Sequence, residues 1–210
     1  MTDWEIMLAA KPYSMTSGRN LLATVTAIHE LDQCIDGDVV ECGAWRGGHT
    51  IAAMLAASRS RTYWLFDTFA GMTEPGEHDY RGGYHATATT AYRKKGASQW
   101  CRAELLEVQT NIDQFRREDQ VVRYVAGPVE DTLAGTELPD AIAFLRLDTD
   151  FYASTRMELE VLWPRVVAGG ILIIDDYHSW AGCRRACDEY FAAGTEFQPV
   201  HGPAVKVVKS

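Results

Sequence analysis

Five short apolar runs, each broken off by an acidic residue or a glycine, most constrain what this 210-residue chain can fold into. They are GDVVECG from Gly37, TYWLFDTF from Thr62, VVRYVAG from Val121, AIAFLRLDTD from Ala141 and GGILIIDDY from Gly169. Segments of helical period surround them. SMTSGRNLLATVTAIHELDQCI comes first, with Leu21, Leu22, Val25, Ile28 and Leu31 at helical spacing behind a Ser/Thr cluster. AWRGGHTIAAMLAAS, SQWCRAELLEVQTNIDQF and ASTRMELEVLWPRVV fall between runs, and GCRRACDEYFAAG follows the last. Strands alternating with helices predict an α/β fold, a mostly parallel sheet covered on both faces. The tail FQPVHGPAVKVVK predicts a final antiparallel pair turned at Gly202-Pro203. One domain over 1–210 is expected, with an N-terminal helix at about 15–35 and a lid-like insertion at about 71–97, rich in Gly, His and Tyr.

Composition narrows the function. A formal net charge of −9 and the lack of a dense Lys/Arg run argue against a nucleic-acid partner. The start, MTDWEIMLAAKPYSM, lacks the basic-then-apolar pattern of a signal peptide, and no apolar run is long enough to span a bilayer. A cytoplasmic protein without a membrane partner is therefore expected. Five cysteines without a secretory signal do not read as a disulfide framework. Cys183 and Cys187 share a helix face, but no paired Cys/His set accompanies them, so they read as structural rather than zinc-binding.

In open sheets of this kind ligands bind at the carboxyl ends of the strands. Glu41, Asp67, Gly127, Asp148 and the pair Asp175/Asp176 all close predicted strands and so fall on one edge. ECGAWRGGHT, with Gly43, Gly47 and Gly48, permits a tight turn and close backbone approach to a ligand. It fits neither the dinucleotide nor the phosphate-loop pattern. Glu-x-Gly before a Gly-rich turn suits S-adenosylmethionine (SAM), although a glycine-rich packing turn reads the same way. Asp67 suits a ribose diol, or else a helix cap before Thr68 and Phe69. GPVEDTL, with Gly127, Val129 and Glu130, suits an adenine wall or a plain polar loop.

LRLDTDFY and IIDDYH carry the chemistry. If their strands are neighbours, Asp148, Asp175 and Asp176 converge, a repulsive cluster unless a hard divalent cation neutralises it. Oxygen-only ligands suit Mg2+, with Mn2+ or Ca2+ as alternatives. The competing reading makes these aspartates helix caps or partners of Arg146 and Arg184. Asp150 is placed to act as general base, or is a solvated loop residue, and His178 is a further candidate base or substrate contact. Tyr177 and His178 are also candidates for the acceptor wall. Trp45, Trp64 and Trp180 lie near strand ends, where they can stack on ligands, with core packing the better reading for at least one.

MTSGRNLLATVTAI, GDVVECGAWRGGHT, FDTFAGM, VAGPVEDTL, LRLDTDFYAST and GGILIIDDYHSWAGCRRACDEYF occur in this order over about Met15 to Phe191. Together they resemble the macrocin O-methyltransferase family, metal-dependent SAM enzymes that methylate sugar hydroxyls of natural products. The resemblance implies the class I SAM-dependent methyltransferase (Rossmann-like) fold, with seven strands and the last antiparallel. It implies Mg2+ on Asp148, Asp175 and Asp176 and a base at Asp150. It maps the Glu-x-Gly turn onto Glu41 and Gly43, the Arg-Gly-Gly onto Arg46, Gly47 and Gly48, and the ribose acid onto Asp67. Ala44, Trp45 and Thr50 on the first turn, Thr68 and Phe69 on the second, Gly127, Val129 and Glu130 on the third, and Asp148 complete the expected SAM contacts. The expected partner is a small-molecule acceptor bearing hydroxyls, naturally a vicinal diol of a sugar, with a catechol or other phenol as the alternative. A non-catalytic SAM-binding module is a third reading. A homodimer is what the family suggests. The chain departs from some relatives in a short N-terminal region and in the segment Thr73 to Gly96.

Overall fold

The structure, a computed structural model, describes residues 1–81 and 99–210. Most of the predicted lid therefore lies outside the described residues. Five strands run parallel: β1 (Asp38–Cys42), β2 (Thr62–Asp67), β3 (Val121–Ala126), β4 (Ile142–Leu147) and β5 (Val166–Ile174). β6 (Gln198–Pro199) and β7 (Val205–Val208) complete a seven-stranded sheet in the order β3-β2-β1-β4-β5-β7-β6, with β7 antiparallel to β5. The expected sheet, including the antiparallel end, is present. The order reverses between β1 and β4, which sit side by side and leave a crevice at their carboxyl ends.

Side-chain alternation along the strands assigns residues to two cores. Val39, Tyr63, Leu65, Phe144 and Ile173 point to one face. There α1 (Asp3–Ala10), α2 (Gly18–Asp32), α3 (Gly48–Ala56) and α4 (Leu105–Asp113) cover them. Val40, Trp64, Phe66, Leu145 and Leu172 point to the other face, under α5 (Val129–Gly135), α6 (Tyr152–Val161) and α7 (Ala181–Tyr190). Cys183 and Cys187 are buried there as free thiols. Strands buried on both faces explain why the runs read as continuous apolar stretches rather than alternating ones. Among the described residues, no helix is long and apolar enough to cross a membrane.

Three boundaries differ from expectation. α1 was not foreseen: Thr2 accepts from the Glu5 amide while Glu5 reaches back to the Thr2 amide, a capping box that starts a helix the apolar pattern alone does not announce. The helix expected over SQWCRAELLEVQTNIDQF begins only at Leu105, behind Glu104. The helix expected through Val167 stops at Val161. Pro164 turns the chain through a short 3-10 segment, and β5 starts at Val166.

Candidate active site

The carboxyl ends of β1 to β5 open into one cavity of about 490 Å³. Its floor is set by strand register. Glu41 and Arg146 are direct partners across β1 and β4, so a fully buried guanidinium meets a buried carboxylate. Arg146 donates through Nη1 to Glu41 Oε1 at 3.2 Å and to Asp148 Oδ2 at 2.9 Å, and through Nη2 to Asp175 Oδ1 at 2.9 Å. One cation thus ties together β1, β4 and β5. Thr50, on α3, donates to the second oxygen of Glu41 at 2.5 Å. Burial still pushes the Glu41 carboxyl up, against the pull of Arg146.

Above Arg146 the site is strongly acidic. Oxygen atoms of Asp148, Asp150 and Asp176 all lie within 4.8 Å of one another. Burial is the main reason each carboxyl is pushed up. Asp175 and Asp176 add to it for Asp148, and Asp150 adds to it for Asp176. Asp150 rises to about 7, with an Asp176 hydrogen bond pulling the other way. Asp176 Oδ2 is buried with no hydrogen-bond partner among the described residues. Three carboxylates gathered this closely, one with an unpartnered oxygen, have the oxygen-only chemistry that suits a hard cation. The trio differs from the expected one. Asp150 joins Asp148 and Asp176, whereas Asp175 is spent on Arg146 and on Asn20, whose Nδ2 donates at 3.4 Å.

The β1–β3 side is built from backbone. Asp67 Oδ2 accepts the amides of Ala44 (2.8 Å) and Trp45 (3.0 Å), and Oδ1 accepts that of Phe69 (2.8 Å). The carboxylate therefore knots the turns after β1 and β2 together. Those turns hold Trp45 at φ 47° and Phe69 at φ 51°, conformations that need such support. Gly43 has no room for a side chain: a Cβ would sit 2.1 Å from the Asp148 carbonyl oxygen. Burial raises the Asp67 carboxyl, opposed by these three amides.

Of the residues expected at the cofactor, Gly43, Trp45, Asp67, Thr68, Gly127, Val129, Glu130 and Asp148 line the cavity. Glu41, Ala44, Arg46, Gly47, Thr50 and Phe69 do not. Glu41 and Thr50 are the floor beneath it, and Ala44 and Phe69 serve through their amides to Asp67. Gly47 begins α3 at φ 88° against Ile112, and Arg46 turns outward to Glu107. His178 is exposed and outside the cavity, its amide bonded to the Pro203 carbonyl at 3.1 Å. Tyr177 also turns away, its hydroxyl donating to Asp188 at 2.6 Å and its ring stacked on Phe197. Of the tryptophans, Trp45 and Trp180 face the cavity, while Trp64 is core and donates to Asp38. Of the two arginines weighed as partners, Arg146 holds the aspartates and Arg184 pairs with Asp188.

Several cavity residues escaped sequence reasoning. Thr16, Ser17 and Asn20 bring the start of α2 to the acidic end. Asn20, an amide buried among the mostly apolar face of the helix, was the available signal. Arg81, Trp100 and the loop at His201–Pro203 also line the cavity.

Residues 2–202 match the family model for macrocin-O-methyltransferase (TylF). The chain is 34% identical over 180 residues to the demethyldecarbamoylnovobiocin O-methyltransferase of Streptomyces niveus, covering 80% of this chain and 66% of that protein. It is 36% identical over 160 residues to an 8-demethyl-8-(2,3-dimethoxy-alpha-L-rhamnosyl)-tetracenomycin-C 4'-O-methyltransferase of Streptomyces olivaceus, covering 74% and 58%. Less than two thirds of each of these relatives is therefore spanned. The solved structure of the O-methyltransferase NovP superposes with a TM-score of 0.79 at 31% identity, over 94% of this chain and 82% of that one.

Proposed function

This chain belongs to the macrocin O-methyltransferase family and has its class I fold, and from that premise we propose that it transfers a methyl group from SAM to a hydroxyl of a sugar or glycosylated natural product. A divalent cation, Mg2+ by the chemistry of the donors, belongs to the same reading. The observation that carries it is the cavity itself. A glycine-built wall and a cluster of acids with an orphaned oxygen face the same space. The relatives, named for methylating decorated antibiotics, support the acceptor class.

SAM supplies an electrophilic methyl on its sulfonium sulfur. Asp67 and the Gly43–Trp45 turn hold the ribose and methionine end, and Val129 and Glu130 border the adenine. Asp148 and Asp176 would hold the cation, which would neutralise their charge and supply Lewis-acid polarisation of an acceptor hydroxyl, chemistry that a vicinal diol suits. Asp175 keeps that geometry by staying on Arg146. Asp150 takes the hydroxyl proton as the oxygen–methyl bond forms and the sulfur–methyl bond breaks, leaving S-adenosylhomocysteine. Burial and the neighbouring Asp148 and Asp175 push the Asp150 carboxyl up, the direction a general base working at neutral pH needs. Alignment of acceptor and donor accounts for most of the rate.

A catechol or phenol acceptor is the second reading, favoured by the Trp100–Trp180 pair, whose rings lie 6.2 Å apart at the cavity wall. One experiment covers both. The protein is incubated with SAM and a panel of glycosylated natural products, free sugars and catechols, with Mg2+ or with EDTA, and products are read by mass spectrometry. Methylated glycosides formed only with the cation are expected. Equal turnover in EDTA defeats the cation, and catechol-only turnover defeats the sugar.

A further inference from the structure

The structure assigns to Asp79 a positioning role in this reaction. It clasps the segment 76–81 onto the first turn of α6 and thereby fixes the Asp150 turn against the cavity wall that carries Arg81. This rests on the methyl-transfer reading above.

Asp79 is a buried carboxylate in a connection, 4% exposed, and such a group persists only with partners. Its Oδ2 accepts the Gly76 amide at 2.7 Å, closing the connection on itself. Its Oδ1 accepts the Tyr152 amide, also at 2.7 Å and 73 residues away. Tyr152 opens α6, and the residue before it, Phe151, has no side chain able to cap. Asp79 supplies the missing cap from another part of the chain, with an anionic group where a helix start favours one. The contact also dictates a glycine on α7. A Cβ on Gly182 would lie 2.0 Å from Asp79 Oδ1 and 2.8 Å from the Tyr152 nitrogen. Connection, α6 and α7 therefore meet at one point that admits no side chain.

The neighbours of Asp79 make the same attachment. The Ala181 amide, opening α7, donates to the Tyr80 carbonyl at 3.0 Å. Arg81 bridges to Trp180 through backbone, and its guanidinium lies 5.8 Å over the indole ring. The segment is thus sewn to the starts of the two helices that follow the acidic strand ends.

Only Thr149, Asp150 and Phe151 separate Asp148 from Tyr152. Asp150 holds φ 67° in that span, a left-handed conformation its surroundings must enforce. The span is fixed at one end by the Asp148 amide on the Cys42 carbonyl (2.9 Å) and at the other by Asp79 on Tyr152. Thr149 is tied besides to Glu158 at 3.1 Å and to Ser154. Losing the clasp therefore loosens the Asp150–Tyr152 end of the turn, the end that sets the Asp150 carboxylate relative to the Arg81 wall.

Asp79→Ala, Asp79→Asn and Gly182→Ala test this in the intact protein. Asp79→Ala is expected to lower kcat about a hundredfold, the scale of a small misplacement of a reacting group. Its SAM Kd should stay within about twofold, since the other half of the cavity sets it. Asp79→Asn keeps an oxygen for the Tyr152 amide, though its NH2 then faces the Gly76 amide, and should recover most of the turnover at some cost in stability. If Asp79→Ala does not fold, Gly182→Ala, which pushes the carboxylate aside, should show the same split. A folded Asp79→Ala or Gly182→Ala with undiminished kcat overturns the role, as does a loss of kcat matched by an equal loss of SAM affinity. If the unsubstituted protein transfers no methyl group, the function proposed above fails and the clasp does not. A crystal structure of Asp79→Ala then decides it: a displaced Asp150 supports the role, and an unmoved one overturns it.

Discussion

On the β1–β3 half of the cavity, Asp67 is met by three backbone amides within 3.0 Å. On the β4–β5 half four aspartates crowd together, of which Asp148 and Asp175 are bonded to Arg146, and an oxygen of Asp176 has no partner among the described residues. The first half is already organised by backbone amides before any ligand arrives, which suits a co-substrate taken up in one pose at every turnover. The second is short of positive charge, which suits a site finished by a cation and a variable acceptor. Substitutions should therefore behave differently on the two sides.

Arg146 is where the comparison is most easily broken. Arg146→Met leaves Glu41, Asp148 and Asp175 without their common partner in a buried setting. Stripping one member from such a network costs about 3–5 kcal/mol. Urea denaturation should show a loss of that order, and methyl transfer should vanish. A variant as stable as the parent would mean the acids are neutralised by something other than Arg146.

Asp150→Asn separates the acidic half into its roles. As the proton acceptor, Asp150 is worth about a hundredfold to ten-thousandfold in kcat. SAM affinity, measured by calorimetry, should not change. Mn2+ affinity, measured by electron paramagnetic resonance, should also hold if Asp148 and Asp176 carry the cation. Loss of Mn2+ binding would instead make Asp150 a ligand, as its closeness to those two permits.

Glu158 tests how far the charge shortage reaches behind the site. It is fully buried on α6, takes a hydrogen bond from Thr149 at 3.1 Å and leaves Oε1 unpartnered. Burial raises its pKa from an ordinary 4.5 to about 8. Between those values the folded chain holds a proton that the unfolded chain has released. The stability this proton carries is complete below about pH 4.5 and is lost as pH rises through 8. Glu158→Gln should flatten the fall of stability with pH by up to about 1.4 kcal/mol per unit across that window. An unchanged slope would mean Glu158 is already ionised in the fold.

The two halves were not equally legible in the sequence. Apolar runs ending in acids gave the strands, the parallel order and the acidic edge, because burial on both faces leaves a continuous hydrophobic signature. The Gly43 turn was readable because close backbone approach admits only glycine. Which acid faces which partner was not readable. Asp175 and Asp176 are adjacent in sequence, yet β5 sends one to Arg146 and leaves the other orphaned. His178 misled for a similar reason: its nearness in sequence to the aspartates says nothing of direction, and the loop at Pro203 holds it outside. Asp79 gave no sign of its clasp, since locally it only closes the turn at Gly76, while the Tyr152 amide it holds lies 73 residues further along the chain.

Asp67→Asn should give the smallest effect and the sharpest contrast. The carbonyl oxygen of asparagine can keep the Ala44 and Trp45 amides, but its NH2 then faces the Phe69 amide, donor against donor. One hydrogen bond is lost and one buried amide is left without a partner, a cost of about 1–3 kcal/mol. Part of it falls on the fold, through the turn that holds Phe69 at positive φ. The rest falls on the cofactor, so SAM Kd should rise roughly tenfold, in proportion to about 1.4 kcal/mol. Mn2+ affinity should be untouched, because no hydrogen bond joins Asp67 to Asp148, Asp150 or Asp176 among the described contacts. Weakened Mn2+ binding in this variant would mean that the Gly43–Asp148 contact transmits strain across the cavity, and that its two halves are one site rather than two.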